Sequence, residues 1–199
     1  MLHWVIVERD GKKYYLEMPH RLYYELAVRS FIKFQELSEQ LKSVNPGTEQ
    51  EESTLYDRRQ AMNSVILYSA LSLEGFINYY AVRYEIPFHK DTDRLSTSKK
   101  WNIYTQWKVG LSITDGSIGK IRSIFKLRNS LVHAKPELGK MGGDSPPAGT
   151  SGQAQLEKAE LGELVIDLNS IYNDTFSIDP DELEQYKKEP WLYVLQKAS

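Results

Sequence analysis

The sequence contains no cysteine. That excludes a disulfide framework, a cysteine zinc site and a thiol nucleophile, and it suits a reducing compartment. No run of about 18 uncharged apolar residues occurs, so no membrane span is expected. The opening MLHWVIVERDGKKYY meets charge early and does not read as a signal peptide, so a cytoplasmic location is expected. There is no glycine-rich phosphate loop and no spaced carboxylate pair for a metal, which disfavours a nucleotide-handling transferase. His3, His20 and His89 are scattered and read as surface residues. No His/Asp/Glu cluster has ligand spacing, and neither a metal nor a cofactor is expected.

What is present is enough for one domain with a real core: 199 residues, 41% hydrophobic and 26% charged, with 13 Tyr and 4 Trp. The net charge is only -2, but it is unevenly spread. Residues 94–135 hold nine Lys/Arg against one acid, Asp115, a local balance of +8. Residues 136–199 hold five Lys against twelve acids, a balance of -7. A basic surface facing a polyanion or an acidic partner would produce this pattern. So would acidic C-terminal helices that neutralise the basic segment within the fold. Both readings stand at this level.

Along the chain, residues 3–18 read as a β-hairpin about Asp10-Gly11, ended by Pro19. Residues 20–43 read as a helix, with Leu22, Leu26, Phe31, Phe34, Leu37 and Leu41 at mostly three- and four-residue spacing. Asn45-Pro46-Gly47 breaks it. A long helix is expected over about 50–85. Its middle, VILYSALSLEGFINYYA, is apolar nearly all round, which marks a central helix. A polar loop spans 86–95, followed by helices over 96–108, with Ser96 as N-cap, and 115–134. The Gly/Pro/Ser-rich stretch 136–153 reads as a flexible loop. Helices over 154–174 and 180–197 finish the chain, the last opened by Asp179-Pro180. The fold expected is all-α: an antiparallel up-and-down helical bundle over 20–199, with a small hairpin appendage over 1–19.

The helix over 115–134 carries the residues of greatest chemical interest. At 100° per residue, Arg122, Lys126, Asn129 and His133 share one polar stripe. Ile118, Ile121, Ile124, Phe125, Leu127, Leu131 and Val132 cover the rest. Arg128 falls off the stripe, among Ile121, Ile124, Phe125 and Val132. An unpaired buried guanidinium would cost several kcal/mol, so Arg128 needs a buried carboxylate, a wet subunit interface or a phosphate. Glu74, set among Leu67, Ala70, Leu71 and Ile77 on the long helix, is the candidate carboxylate. His133, in the last turn, is placed to pass a proton or simply to end the helix. Asn129, one turn earlier, is placed to orient the imidazole. Trp101, Tyr104 and Trp107 offer rings to stack on bases or to fill the core.

Arg128-Asn129-Ser130-Leu131-Val132-His133 resembles the R-x4-6-H signature of HEPN domains (higher eukaryote and prokaryote nucleotide-binding). The phrase Ala70-Leu71-Ser72-Leu73-Glu74-Gly75-Phe76-Ile77-Asn78 is similar to a glutamate-bearing helix common in bacterial members, and Lys100-Trp101 lies between the two. The resemblance covers about residues 20–135. It implies a helical bundle that forms homodimers with the two motifs facing each other. It implies a metal-independent endoribonuclease that leaves 2',3'-cyclic phosphate and 5'-OH ends, in toxin–antitoxin or phage-defence settings with an antitoxin or regulatory protein as partner. It also admits a non-catalytic RNA- or nucleotide-binding or dimerisation module. Carried over by position, Arg128, His133 and Asn129 are the catalytic residues and Glu74 a supporting acid. Arg122, Lys126, Lys135 and Lys100, from the basic segment, would contact RNA.

Overall fold

Two left-handed residues close the first element. Asp10 and Gly11 have φ of 51° and 71°, the paired positive values of the tight turn that suits the twist of a two-stranded ribbon. They join β1 (Trp4–Arg9) to β2 (Lys12–Glu17) in antiparallel register, with Val5 opposite Leu16 and Ile6 opposite Tyr15. Alternation puts Val5 and Leu16 on the face that packs against the core. Arg9 ties the hairpin down through the Val82 carbonyl and through Glu85, at 2.6 Å. The appendage is therefore docked on the bundle.

The computed structural model describes residues 4–133 and 160–192, and among these six helices follow the hairpin. They are α1 (Pro19–Leu41), α2 (Glu49–Arg83), α3 (Thr97–Val109), α4 (Asp115–Val132), α5 (Leu161–Ile178) and α6 (Pro180–Lys188). The architecture is the expected helical bundle with an N-terminal hairpin. Pro19 opens α1, where its missing N–H costs nothing. Thr48 caps α2 by accepting from the Glu51 N–H. Asp179 caps α6, its Oδ1 accepting from the Asp181 and Glu182 N–H groups. The loop expected over 136–153, Lys135, the expected helix start at 154 and the expected helix end at 197 lie outside the described residues. Within them, α6 ends at Lys188.

The apolar middle of α2 makes it the hub. It packs against α1, α3, α4 and α5, which is why Val65, Ile66, Leu73, Ile77 and Tyr80 are all sealed from solvent. One stretch of α2 is long and apolar enough to cross a membrane by composition, but most of it is buried inside the bundle. At Gly75 an added Cβ would sit 3.3 Å from the His20 backbone nitrogen, so this glycine permits the close approach of α1 to α2. His20 corrects a sequence expectation. It is buried, not on the surface, with its ring against Phe76, Tyr79 and Trp191. Trp101 and Tyr104 are likewise core residues. The Trp101 indole donates to the Leu73 carbonyl at 3.3 Å and stacks on Phe76, so it is not free to stack on a base.

Candidate functional site

Three isoleucines set the rotation of α4. Ile118, Ile121 and Ile124 are buried against the hub, so the face of the helix away from them turns outward. The start of the helix is fixed twice. Thr114 Oγ1 accepts from the Ser117 N–H, and Asp174 of α5 accepts from the Thr114 N–H at 2.8 Å and its hydroxyl at 2.9 Å. With rotation and start fixed, Arg122, Lys126 and Asn129 are exposed on the outer face.

Beside that face runs an open cleft of about 800 Å³, between α4, the start of α3 and Glu74 of α2. It falls within the volume range of small-molecule sites. Five of the residues singled out in the sequence line it: Glu74, Arg122, Lys126, Arg128 and Asn129. Ser96, Thr97 and Ser98 complete the wall opposite α4. Those three were not anticipated as site residues. The only sequence signal for them was the helix-capping character of Ser96.

Arg128 does not form the candidate ion pair with Glu74. Glu74 and Arg128 line the same cleft, but no salt bridge joins them. The guanidinium is only partly buried, and its Nη1 donates to Asn129 Oδ1 at 3.0 Å. The wheel places Arg128 among apolar neighbours; a long side chain at the rim of a cleft escapes that environment by turning its head toward the polar stripe. A buried carboxylate is then unnecessary.

Three further placements differ from the sequence reading or complete it. Lys100 is buried, with its ammonium near Asn78 Oδ1 at 3.5 Å and Asp93 Oδ1 at 3.7 Å, so it is not a surface cation facing RNA. His133 is exposed as the C-cap of α4, its backbone N–H donating to the Asn129 carbonyl, and it stands one turn beyond the residues that line the cleft. The charge asymmetry is in part balanced within the fold. Lys108 pairs with Asp181 and Lys120 with Asp167, so the acidic C-terminal helices do neutralise part of the basic segment. Arg122, Lys126 and Arg128 make no ion pair among the described residues. They leave three cations in the cleft against the one carboxylate of Glu74.

A second polar cluster lies where α6 meets the end of α2. Tyr80 donates to Asp179 Oδ2 at 2.6 Å, Tyr84 donates to Glu182 Oε1 at 3.0 Å, and Arg83 lies 3.1 Å from the same oxygen. Burial pushes the Glu182 carboxyl up to about 7; the Arg83 charge and the Tyr84 hydrogen bond offset this only in part. Burial likewise raises the Tyr79, Tyr80 and Tyr84 hydroxyls well above the usual phenol range. Among the described residues no group of three or more His, Asp or Glu is placed to hold a metal ion. Comparison of the chain with family models, curated proteins and solved structures finds no match.

Proposed function

We propose that this chain is a HEPN-type endoribonuclease that acts on RNA as a homodimer. The observation that carries the reading is the state of Arg128. Its guanidinium has no carboxylate partner among the described residues and lines a cleft shared with Arg122, Lys126 and Asn129. Cations gathered beside an open cleft attract a phosphate backbone, and a planar guanidinium suits two phosphate oxygens.

In this reading Arg122 and Lys126 hold the backbone, while Arg128 stabilises charge on the non-bridging oxygens as phosphorus becomes five-coordinate. Asn129 keeps Arg128 oriented. The ribose 2'-oxygen loses its proton and bonds to phosphorus, and the bond to the 5'-oxygen breaks. That oxygen takes a proton, leaving a 2',3'-cyclic phosphate and a 5'-OH. His133 is the group for these proton transfers. Two copies facing each other through α4 would bring two His133 side chains to one cleft, one to accept and one to donate.

The position of His133 outside the cleft lining favours a second reading, a non-catalytic RNA-binding module. One experiment separates the two. Labelled RNA is incubated with the purified protein in a chelator and the ends are sequenced, beside a binding measurement. Cleavage to cyclic-phosphate ends that His133→Ala abolishes supports the nuclease. Binding without cleavage gives the module, and absence of both sinks the two together.

A further inference from the structure

We infer that the start of α3 forms a second anion subsite in the cleft, in which the backbone N–H groups of Thr97 and Ser98 and the Thr97 hydroxyl hold a phosphate oxygen across from Arg128. The inference rests on the proposal that this cleft takes RNA, and it assigns residues that the motif on α4 does not include.

The first observation is an uncapped helix. The Ser96 side chain does not cap α3; its Oγ meets Ser98 Oγ at 3.2 Å instead. No acidic residue stands in the first turn. The Thr97 and Ser98 N–H groups have no hydrogen-bond acceptor among the described residues. Such donors, at the positive end of a 13-residue helix, favour an anion.

The second observation is independent of the helix end. Thr97 is only 7% exposed, yet its side chain makes no hydrogen bond among the described residues. Its hydroxyl is nevertheless not among the unpartnered atoms sealed from solvent, so it reaches open space. The open space beside Thr97 is the cleft. A hydroxyl that faces this space without a protein partner is left for water or a ligand to pair with.

The two walls are chemically complementary. The α4 wall offers charge through Arg122, Lys126 and Arg128, and the α3 wall offers uncharged donors. Glu74 also lines the cleft, and its carboxylate disfavours an anion close to it. A nucleic-acid strand laid in the cleft meets both kinds of donor. Cations dominate the salt dependence of its binding, and the neutral donors add affinity that salt does not remove.

Two measurements test this. In the first, inorganic phosphate is titrated into the protein and backbone amides are followed by NMR. The Thr97 and Ser98 amides are expected to shift together with those of Arg128 and Asn129. Shifts confined to α4 overturn the subsite. In the second, a short 2'-fluoro RNA, which has no nucleophile and cannot be cut by transesterification, is bound at several salt concentrations. Thr97→Val is expected to weaken binding roughly three- to tenfold without changing the salt slope. Thr97→Ser, which keeps the hydroxyl, is expected to bind like the unaltered protein. Equal affinity for Thr97→Val and the unaltered protein overturns the inference. The failures of the two proposals are distinguishable. Loss of cleavage activity alone leaves both measurements intact, and amide shifts at Thr97 and Ser98 without RNA binding uphold the anion subsite while removing the nuclease.

Discussion

Arg128 donates from Nη1 to Asn129 Oδ1 at 3.0 Å, and this contact joins the residue on the apolar side of α4 to the polar stripe. Arg128 and Asn129 both line the cleft. Because no buried partner is lost, Arg128→Ala is expected to change unfolding free energy by no more than about 0.5 kcal/mol. The 3–5 kcal/mol typical of breaking a buried ion pair is not expected. RNA binding should fall at the same time. Urea unfolding of the variant checks the first half, and a loss of several kcal/mol would revive the Glu74 pair.

Lys100 and Lys126 are both cations of the basic segment, but their environments differ. Lys126→Ala should lower the slope of log affinity against log salt by about 0.7–0.9, the share of one phosphate contact. Lys100→Met should leave that slope unchanged, since its ammonium faces Asn78 and Asp93. Binding titrations over a range of salt decide the matter; equal slopes in the two variants would contradict the burial of Lys100.

His133→Ala should abolish RNA cleavage while retaining RNA binding. The side chain is exposed at the helix end and is not part of the cleft wall. Parallel cleavage and binding assays provide the comparison. Loss of binding equal to that of Arg128→Ala would mean that His133 holds RNA and does not move protons.

Glu182 makes stability depend on pH. Its native value of about 7 lies above the ordinary 4.5, so the folded protein keeps a proton that the unfolded chain has released. Stability from this group is fully present below about 4.5 and is lost as pH rises toward 7. The total is on the order of 3 kcal/mol. The difference between the unaltered protein and Glu182→Gln, measured by urea unfolding at several pH values, isolates this contribution. An unfolding midpoint that moves identically with pH in both proteins would rule it out.

Tyr80→Phe should cost about 1.5–3 kcal/mol, the usual contribution of a hydrogen bond to a charged group. The bond to Asp179 is enclosed, and Asp179 also caps α6. Thermal unfolding gives the magnitude. A shift equivalent to under about 0.5 kcal/mol would mean that water or another donor replaces the hydroxyl.

The parts of the fold legible in the sequence were those written in local pattern. Asp10-Gly11 announced the hairpin, Asp179-Pro180 the start of α6, and the apolar stretch from Val65 to Ala81 the hub helix. Each is a choice of backbone or periodicity made by neighbours in the chain. The polar stripe of Arg122, Lys126 and Asn129 was legible for the same reason, since helical geometry alone puts them together.

His20 and Lys100 were not legible in this way. Whether a histidine or a lysine is buried depends on which distant elements close over it. So did the fate of Arg128: the wheel gave its direction, but only the rim of the cleft decided that it needs no carboxylate. The sequence by itself determined the helices, their polar faces and the excess of basic charge before Lys135. The tertiary structure alone decided which cations Asp167 and Asp181 neutralise and which stay free. It alone set Ser96, Thr97 and Ser98 across from α4, because packing against α2 brings together side chains that no local spacing relates.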